Sequence, residues 1–208
     1  LQLVCRPLSR VAEILALHRT AVNLLDTYVG RNAGDRILKG HILRGDSELI
    51  RCVIWFSDLR GFTSLADRSE PGAVIRTLNE LFECQVPFIQ EHGGEVLKFI
   101  GDGLLAIFPI SRDDTKAACE SALGAADQAF AALAKLNEAR TPRGEAPLRF
   151  GLALHVGDVT YGNIGGANRL DFTCIGPAIN LAARLEALAS QLGKQQLLSA
   201  ELAAHVAR

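Results

Sequence analysis

The stretch Glu95-Val-Leu-Lys-Phe-Ile-Gly-Asp-Gly-Leu-Leu-Ala-Ile-Phe108 holds two short apolar runs separated by Gly-Asp-Gly. Runs of this length, rich in branched and aromatic residues and bounded by glycine, are typical of β-strands. The glycines between them favour a tight turn, because glycine adopts the positive φ angles that such turns need. The segment therefore predicts a β-hairpin with strands at 95–100 and 104–108 and with Asp102 at its tip.

The segments on either side of this hairpin alternate between strands and helices. Branched and aromatic residues predict a buried strand at 49–56 and another strand at 148–156. A helix is predicted at 70–91, with a kink at Pro87, and an alanine-rich helix at 112–138. The order β-α-β-β-α-β is the ferredoxin-like arrangement of an α+β fold.

Two further helices are predicted before this core. Apolar residues on one face predict a helix at 9–29, with Ser9 as its N-cap, and a shorter helix follows at 33–39. We interpret residues 1–48 as a helical stalk or packing segment, and 49–208 as the main domain.

Additional elements are predicted after the core. Glycine-rich strands occupy 158–175 and turn near Gly165-Gly-Ala-Asn168. An amphipathic helix follows at 177–192, and 196–208 hold a short strand and a helix.

Composition excludes several classes of protein. The 208 residues are 49% hydrophobic and carry a formal net charge of −1, so the chain is not a generally basic nucleic-acid binder. No apolar run is long enough to span a membrane, so we expect no membrane contact by this fragment. The five cysteines form no Cys-x-x-Cys pair, which predicts reduced, mostly buried thiols and a cytoplasmic location. The chain has no Met and begins at Leu1, so we expect an upstream sensor or membrane domain in the parent protein.

Two carboxylates are predicted to meet at one edge of the sheet. Asp58 follows the first strand, and Asp102 lies in the hairpin between the second and third strands. The first and third strands are antiparallel neighbours in this topology, so the two side chains converge, and they either repel each other or bind a divalent cation. The alternative is that Asp58 caps the next helix and Asp102 is an ordinary turn residue.

Other polar groups suggest phosphate chemistry. The turn in Asp58-Leu-Arg-Gly-Phe-Thr63 offers free backbone N–H groups to a phosphate. Asn180 and Arg184 are four residues apart on one helix face, where the arginine can stabilise a transferring phosphoryl group and the asparagine can orient a sugar. The alternative is a solvated polar face on which Glu186 binds the arginine.

Four motifs occur together in a fixed order: Phe56-Ser-Asp-Leu-Arg-Gly-Phe-Thr63, Lys98-Phe-Ile-Gly-Asp-Gly103, Asp171-Phe-Thr-Cys-Ile-Gly176 and Asn180-Leu-Ala-Ala-Arg184. They resemble the class III nucleotidyl cyclase catalytic domain of the adenylate cyclase type, over roughly 50–200. The resemblance implies a cyclase palm-like fold, a homodimer with active sites shared between chains, and two Mg²⁺ or Mn²⁺ ions per site. It also implies conversion of ATP to 3′,5′-cyclic AMP and pyrophosphate.

The resemblance also implies roles for single residues. Asp58, Asp102 and the backbone carbonyl of Leu59 correspond to the metal ligands, and Asn180 and Arg184 correspond to the transition-state pair.

Substrate contacts follow from the same resemblance. Lys98 and Thr173 correspond to the pair that reads the purine, and Gly61, Phe62 and Thr63 to the turn that contacts the substrate. Adenylate cyclases commonly carry Asp where Thr173 stands. The threonine resembles a bacterial subgroup that includes bicarbonate-responsive members, so bicarbonate regulation is a further expectation.

The sequence departs from the family pattern at its end. Family members often continue with further strands and a basic residue that binds the triphosphate, whereas this chain ends at Arg208. We therefore expect either a truncated C-terminal end or a phosphate that is bound in another way. Lys194, Arg169 and Arg60 are the candidates for that basic residue.

Two alternatives to an adenylate cyclase stay open. A guanylate cyclase is disfavoured because those enzymes tend to carry Glu where Lys98 stands. A catalytically silent cyclase-like regulatory module is disfavoured because both aspartates, Asn180 and Arg184 are present.

Overall fold

The central feature of the fold is a six-stranded β-sheet. The computed structural model describes residues 2–68, 70–111, 114–166 and 169–206. Five strands follow the order β2-β3-β1-β4-β5, and β6 pairs in parallel with β4. The strands are β1 (Ser47–Leu59), β2 (Glu95–Ile100), β3 (Gly103–Pro109), β4 (Phe150–Gly166), β5 (Arg169–Ile175) and β6 (Gln196–Leu198).

Eight helices accompany the strands in this part of the chain, and a 3-10 turn at Thr141–Arg143 follows the longest helix of the second half. The helices are α1 (Gln2–Tyr28), α2 (Arg31–Leu38), α3 (Phe62–Arg68), α4 (Pro71–Glu83), α5 (Val86–Glu91), α6 (Thr115–Arg140), α7 (Pro177–Gln191) and α8 (Ala200–Val206).

The central strands have the predicted ferredoxin-like arrangement. Strand β1 lies between β3 and β4 and is antiparallel to both, with Asp58 opposite Gly103 on one side and Gly151 on the other. The hairpin of β2 and β3 is confirmed, and the α+β fold with added C-terminal strands and helices is confirmed as well.

The main core lies on one face of the sheet. Val53 and Trp55 of β1 are fully buried there against apolar side chains of α4, α5, α6 and α8, such as Leu81, Ile89 and Leu202. The other face of the sheet carries Asp58 and its neighbours on alternate positions, because side chains alternate along a strand.

Helix α7 packs on that second face. A Cβ added at Gly157 of β4 would lie 2.5 Å from the Cβ of Ala178, so the glycine lets the helix approach the strand closely. The two faces of the sheet therefore have different partners, with the apolar core on one and α7 on the other.

Two predicted strand boundaries were wrong. Strand β1 runs to Leu59, so Asp58 is a strand residue and does not lie past the strand end. The predicted break between 148–156 and the next strands does not exist, because Gly157 keeps strand pairing with Cys52 and β4 continues for 17 residues. The predicted turn at 165–168 includes Ala167 and Asn168, which lie outside the described residues.

The helix predicted at 70–91 is two helices. The chain leaves the helical path at Cys84 and Gln85, where the buried Gln85 accepts a 2.6 Å hydrogen bond from Ser57 Oγ through its side-chain oxygen. Pro87 does not kink a helix, because it lies in the first turn of α5, where no backbone donor is lost.

Two helix starts were also wrong. Helix α1 begins at Gln2 instead of being capped by Ser9. Helix α6 begins at Thr115, because the Asp114 carboxylate accepts a hydrogen bond from the Ala117 amide and caps the helix there.

The chain divides into two compact units, Leu1–Asp46 with Asn163–Phe172 and Ser47–Gly162 with Thr173–Arg208. In the first, Asn163 Nδ2 donates to the backbone carbonyls of His41 and Leu43, at 2.9 and 3.3 Å. In the part of the chain that is described, no helix has the length and apolar character needed to cross a lipid bilayer.

Candidate active site

Asp58 and Asp102 come together at the end of β1. Asp58 lies opposite Gly103 in the pairing of β1 with β3, which places the neighbouring Asp102 beside it. Gly103 of β3 allows this approach, because a Cβ there would lie 2.7 Å from the backbone oxygen of Ser57 and 3.1 Å from Asp58 Oδ1. Asp58 is therefore part of a carboxylate pair, and the alternative in which it caps a helix is wrong.

The electrostatics of this pair suit a divalent cation. Burial raises the pKa of Asp58 above its usual range, and the neighbouring Asp102 raises it further, while Arg60 and the backbone of Leu59 oppose the rise. The two carboxylates repel each other when both are charged, and a bound Mg²⁺ or Mn²⁺ ion removes this repulsion because both ions prefer oxygen ligands.

Protein side chains alone do not complete a metal site. Among the described residues, no group of three or more His, Cys, Asp or Glu side chains is arranged to hold a metal ion. The Leu59 carbonyl, phosphate oxygens and water are therefore the remaining ligands available to a cation on Asp58 and Asp102.

The turn after β1 leads directly into α3. Gly61 has a φ of 77°, a conformation that favours glycine, and its carbonyl accepts a 3.2 Å hydrogen bond from the Leu65 amide. Phe62 and Thr63 are the first two residues of α3. These predicted substrate contacts thus lie within five residues of Asp58 along the chain.

The side chain of Arg60 turns toward α7. Its Nη1 lies 2.6 Å from Glu186 Oε1, and the two side chains are only 19% and 7% exposed. Burial raises the pKa of Glu186, and Arg60 opposes that rise. The alternative in which Glu186 pairs with Arg184 is therefore wrong. The only sequence signal for the observed pair is a glycine inside β4, Gly151, whose backbone lies beneath the two side chains.

Asn180 and Arg184 lie on the opposite side of α7. Both are exposed, whereas Ala178, Ala182 and Glu186 form the buried stripe of the helix. Residues at four-residue spacing share a face, so the exposed pair shares one face and the buried stripe another. Within one chain, the two residues therefore face solvent, away from the side of α7 that carries Glu186.

Lys98 and Thr173 lie in β2 and β5. Thr173 is 4% exposed, and its buried Oγ1 has no hydrogen-bond partner among the described residues. Burial raises the pKa of the adjacent Cys174, and the positive charge of Lys98 opposes this rise. Lys98 itself is half-buried on the sheet face that carries Asp58.

Two candidates for the triphosphate-binding residue line one depression. Arg60 and Lys194 border a cavity of about 290 Å³ together with Arg149. The third candidate, Arg169, belongs to the other compact unit.

Comparison with known proteins identifies the family of the chain. The family model described as the adenylate and guanylate cyclase catalytic domain matches residues 47–201. The chain belongs to this cyclase family. The resemblance seen in the four sequence motifs is thereby confirmed.

Several cyclases are similar to the chain. An adenylate cyclase of Anabaena cylindrica is 36% identical over 74% of this chain and 30% of its own length. A bacterial light-regulated adenylyl cyclase structure has a TM-score of 0.79 and 27% identity, covering 98% of this chain and 58% of that one. The guanylyl cyclase Cya2 structure has a TM-score of 0.67 and 30% identity, covering 80% and 82%. The chain thus spans less than a third of the curated relative's length.

Other titratable residues lie outside this candidate site. Burial raises the pKa of Cys52 to about 12 and the pKa of Cys84 and Cys119 to about 11, so these free, buried thiols stay protonated near neutral pH. The Cys5 side chain lies outside the described residues. His155 is 6% exposed, and burial lowers its pKa, which agrees with a structural role.

Proposed function

We propose that the chain is the catalytic domain of an adenylate cyclase that converts ATP to 3′,5′-cyclic AMP and pyrophosphate. The observation that carries the proposal is the adjacent pair of carboxyl groups, Asp58 and Asp102, at the end of a central strand. Family membership and the similarity to adenylate cyclases support it.

The reaction is an intramolecular phosphoryl transfer. The ribose 3′-oxygen bonds to the α-phosphorus, the bond from this phosphorus to pyrophosphate breaks, and the 3′-hydroxyl proton passes to water. Two Mg²⁺ or Mn²⁺ ions, held by Asp58, Asp102 and the Leu59 carbonyl, would lower the pKa of that hydroxyl and neutralise phosphate charge. Arg184 stabilises charge on the phosphoryl group and Asn180 orients the ribose. The turn at Gly61, Phe62 and Thr63 contacts the phosphates.

The active sites are shared in a homodimer. Asn180 and Arg184 are exposed on the face of α7 opposite the buried Glu186, so they are available to a second chain. Each site would then combine the carboxylates of one chain with the transition-state pair of the other.

Lys98 and Thr173 select adenine. The ammonium donates to a ring nitrogen, and the hydroxyl accepts from the exocyclic amine; guanine presents the reverse pattern. The buried Thr173 Oγ1, which lacks a partner within the described residues, supports this role. Similarity to the guanylyl cyclase Cya2 keeps guanylate cyclase as a second candidate. Bicarbonate regulation and a cytoplasmic location rest on the sequence alone.

The test is product formation by the purified chain. We expect cyclic AMP from ATP with Mg²⁺ or Mn²⁺, formed faster than cyclic GMP from GTP, with products separated by chromatography. Asp102→Asn removes a metal ligand and should lower turnover about 10²-fold or more. Asp127→Asn, on the exposed side of α6, is the matched control and should have no effect.

Other outcomes would decide between the alternatives. Faster turnover of GTP would identify a guanylate cyclase. No cyclic product from either nucleotide would identify a silent module, and full activity of Asp102→Asn would contradict the metal assignment.

A further inference from the structure

The ion pair of Arg60 and Glu186 joins two parts of the site that are distant in sequence. Arg60 follows Asp58 by two residues, and Glu186 follows Arg184 by two residues on α7. Besides the 2.6 Å contact between Nη1 and Oε1, Arg60 Nη2 lies 3.5 Å from the backbone oxygen of Glu186. The end of β1 and the middle of α7 are thus connected by side chains that solvent barely reaches.

Strand β4 is adapted to this pair at one position. Gly151 lies opposite Asp58 in the strand pairing, and a Cβ on it would overlap both the Arg60 guanidinium and Glu186 Oε1. Only glycine therefore leaves the space through which the pair crosses the strand. A glycine inside a strand weakens it, and this one is explained by the close approach of the pair.

Stability does not account for the pair. Buried ion pairs are often no more stabilising than apolar residues of similar volume, because both charges lose their hydration. Here the Arg60 and Glu186 side chains are only 19% and 7% exposed, so both charges have lost most of their hydration. The ion pair is therefore better explained by the relative position of β1 and α7 that it fixes than by a gain in stability.

We propose that Arg60 and Glu186 are positioning residues that hold the metal-binding end of β1 and the Asn180–Arg184 segment of α7 in a fixed relation. This inference rests on the proposed cyclase function. In a dimer with shared sites, Asp58 of a chain serves one site and Arg184 of the same chain serves the other. The pair therefore couples the metal half of one site to the transition-state half of its twin.

Two variants test the pair in different ways. Glu186→Gln keeps the shape of the side chain and removes its charge. Gly151→Ala keeps both charges and pushes the two side chains apart. The matched control is Arg51→Met with Glu201→Gln, an exposed ion pair that links β1 to α8 away from the site.

Activity and metal binding are measured for both variants and the control, and thermal unfolding is measured to show that each variant is folded. We expect both variants to lower kcat about 10²-fold, with KM for ATP changed less than about threefold. Mn²⁺ binding, followed by the paramagnetic resonance signal of the free ion, should weaken about tenfold in Gly151→Ala although no charge has changed. The control should change neither quantity. Normal kcat and Mn²⁺ affinity in both folded variants would overturn the proposal.

Mixed dimers test the coupling. In a mixed dimer of a Glu186→Gln chain and an Asp58→Ala chain, only one site keeps both aspartates, and the Glu186→Gln chain supplies them. In a mixed dimer of a Glu186→Gln chain and an Arg184→Ala chain, only one site keeps Arg184, and α7 of the Glu186→Gln chain supplies it. We expect low activity in both mixtures, because the pair acts on both halves. Full recovery in either mixture, to the level of an Asp58→Ala and Arg184→Ala mixture, would overturn the coupling.

Failure of this inference differs from failure of the proposed function. If the unmodified protein forms no cyclic nucleotide, the cyclase proposal fails, and Mn²⁺ affinity still decides the positioning role. Unchanged affinity in Gly151→Ala would then overturn it, and weakened affinity would support it.

Discussion

His155 is a residue whose charge state is set by burial. It is 6% exposed, and its Nδ1 has no hydrogen-bond partner within the described residues. Burial lowers its pKa, Arg51 acts in the same direction, and Glu201 opposes both. The folded protein therefore holds this histidine neutral at a pH where the unfolded chain already binds a proton.

The pH dependence of stability follows from this shift. The unfolded histidine binds its proton near pH 6.5 and the folded one only at lower pH, so the free energy of unfolding falls as pH drops below about 6.5. His155→Gln should reduce the fall in melting temperature between about pH 7.5 and about pH 5. His18→Gln, an exposed position on α1, is the control. Equal pH profiles for the His155 variant and the unmodified protein would contradict the prediction.

Single residues differ in how well sequence predicts them. Asp58 and Asp102 are predictable because strand order alone brings the end of β1 beside the hairpin. The pair of Arg60 and Glu186 is not, since these residues are 126 positions apart and no periodicity relates them. Gly151 became informative only when the neighbouring side chains were known.

At the scale of elements, the β2–β3 hairpin positions Asp102. Its last glycine, Gly103, begins β3 opposite Asp58, and the space around it is closed by Ser57 and Asp58. Gly103→Ala should therefore destabilise the protein by about 1–3 kcal/mol, because backbone atoms must shift to admit the methyl group. Urea unfolding followed by circular dichroism measures this loss.

Gly72→Ala is the control for the hairpin prediction. The nearest atom to a Cβ at Gly72 is 3.7 Å away, at the end of the flexible Arg76 side chain, so stability should be kept or raised slightly. If Gly103→Ala unfolds at the same urea concentration as the unmodified protein, the close contact is not restrictive.

Elements were predictable where local pattern decides them. The hairpin and α7 follow from apolar periodicity and glycines, so their bounds agree with the sequence prediction to within one residue. The break between α4 and α5 does not follow from the local sequence pattern, because it depends on the contact of Gln85 with Ser57, 28 residues earlier. The length of β4 likewise depends on its pairing with β1, which continues without a break from Phe150 to Gly162.

At the scale of the whole molecule, the proposed dimer can be tested by complementation. Asp58→Ala and Arg184→Ala should each be nearly inactive alone. In a mixed dimer one site collects both lesions and the other has none, so random exchange should restore about a quarter of the unmodified activity. Cyclic AMP formation after co-expression measures this recovery.

The controls for complementation follow from the same geometry. Mixing Asp58→Ala with Asp102→Asn should restore nothing, because both lesions affect the metal half of a site. If chains exchange but the Asp58→Ala and Arg184→Ala mixture stays inactive, then the sites are not shared.

Trp55 gives the central strand an optical signal of its own. It is the chain's single tryptophan, it is fully buried, and its ring lies 6.4 Å from that of Phe108. Its emission therefore originates in the middle of the sheet, in apolar surroundings. A red shift would report water reaching β1, so intrinsic fluorescence separates loss of the sheet from changes confined to exposed surfaces, without any label.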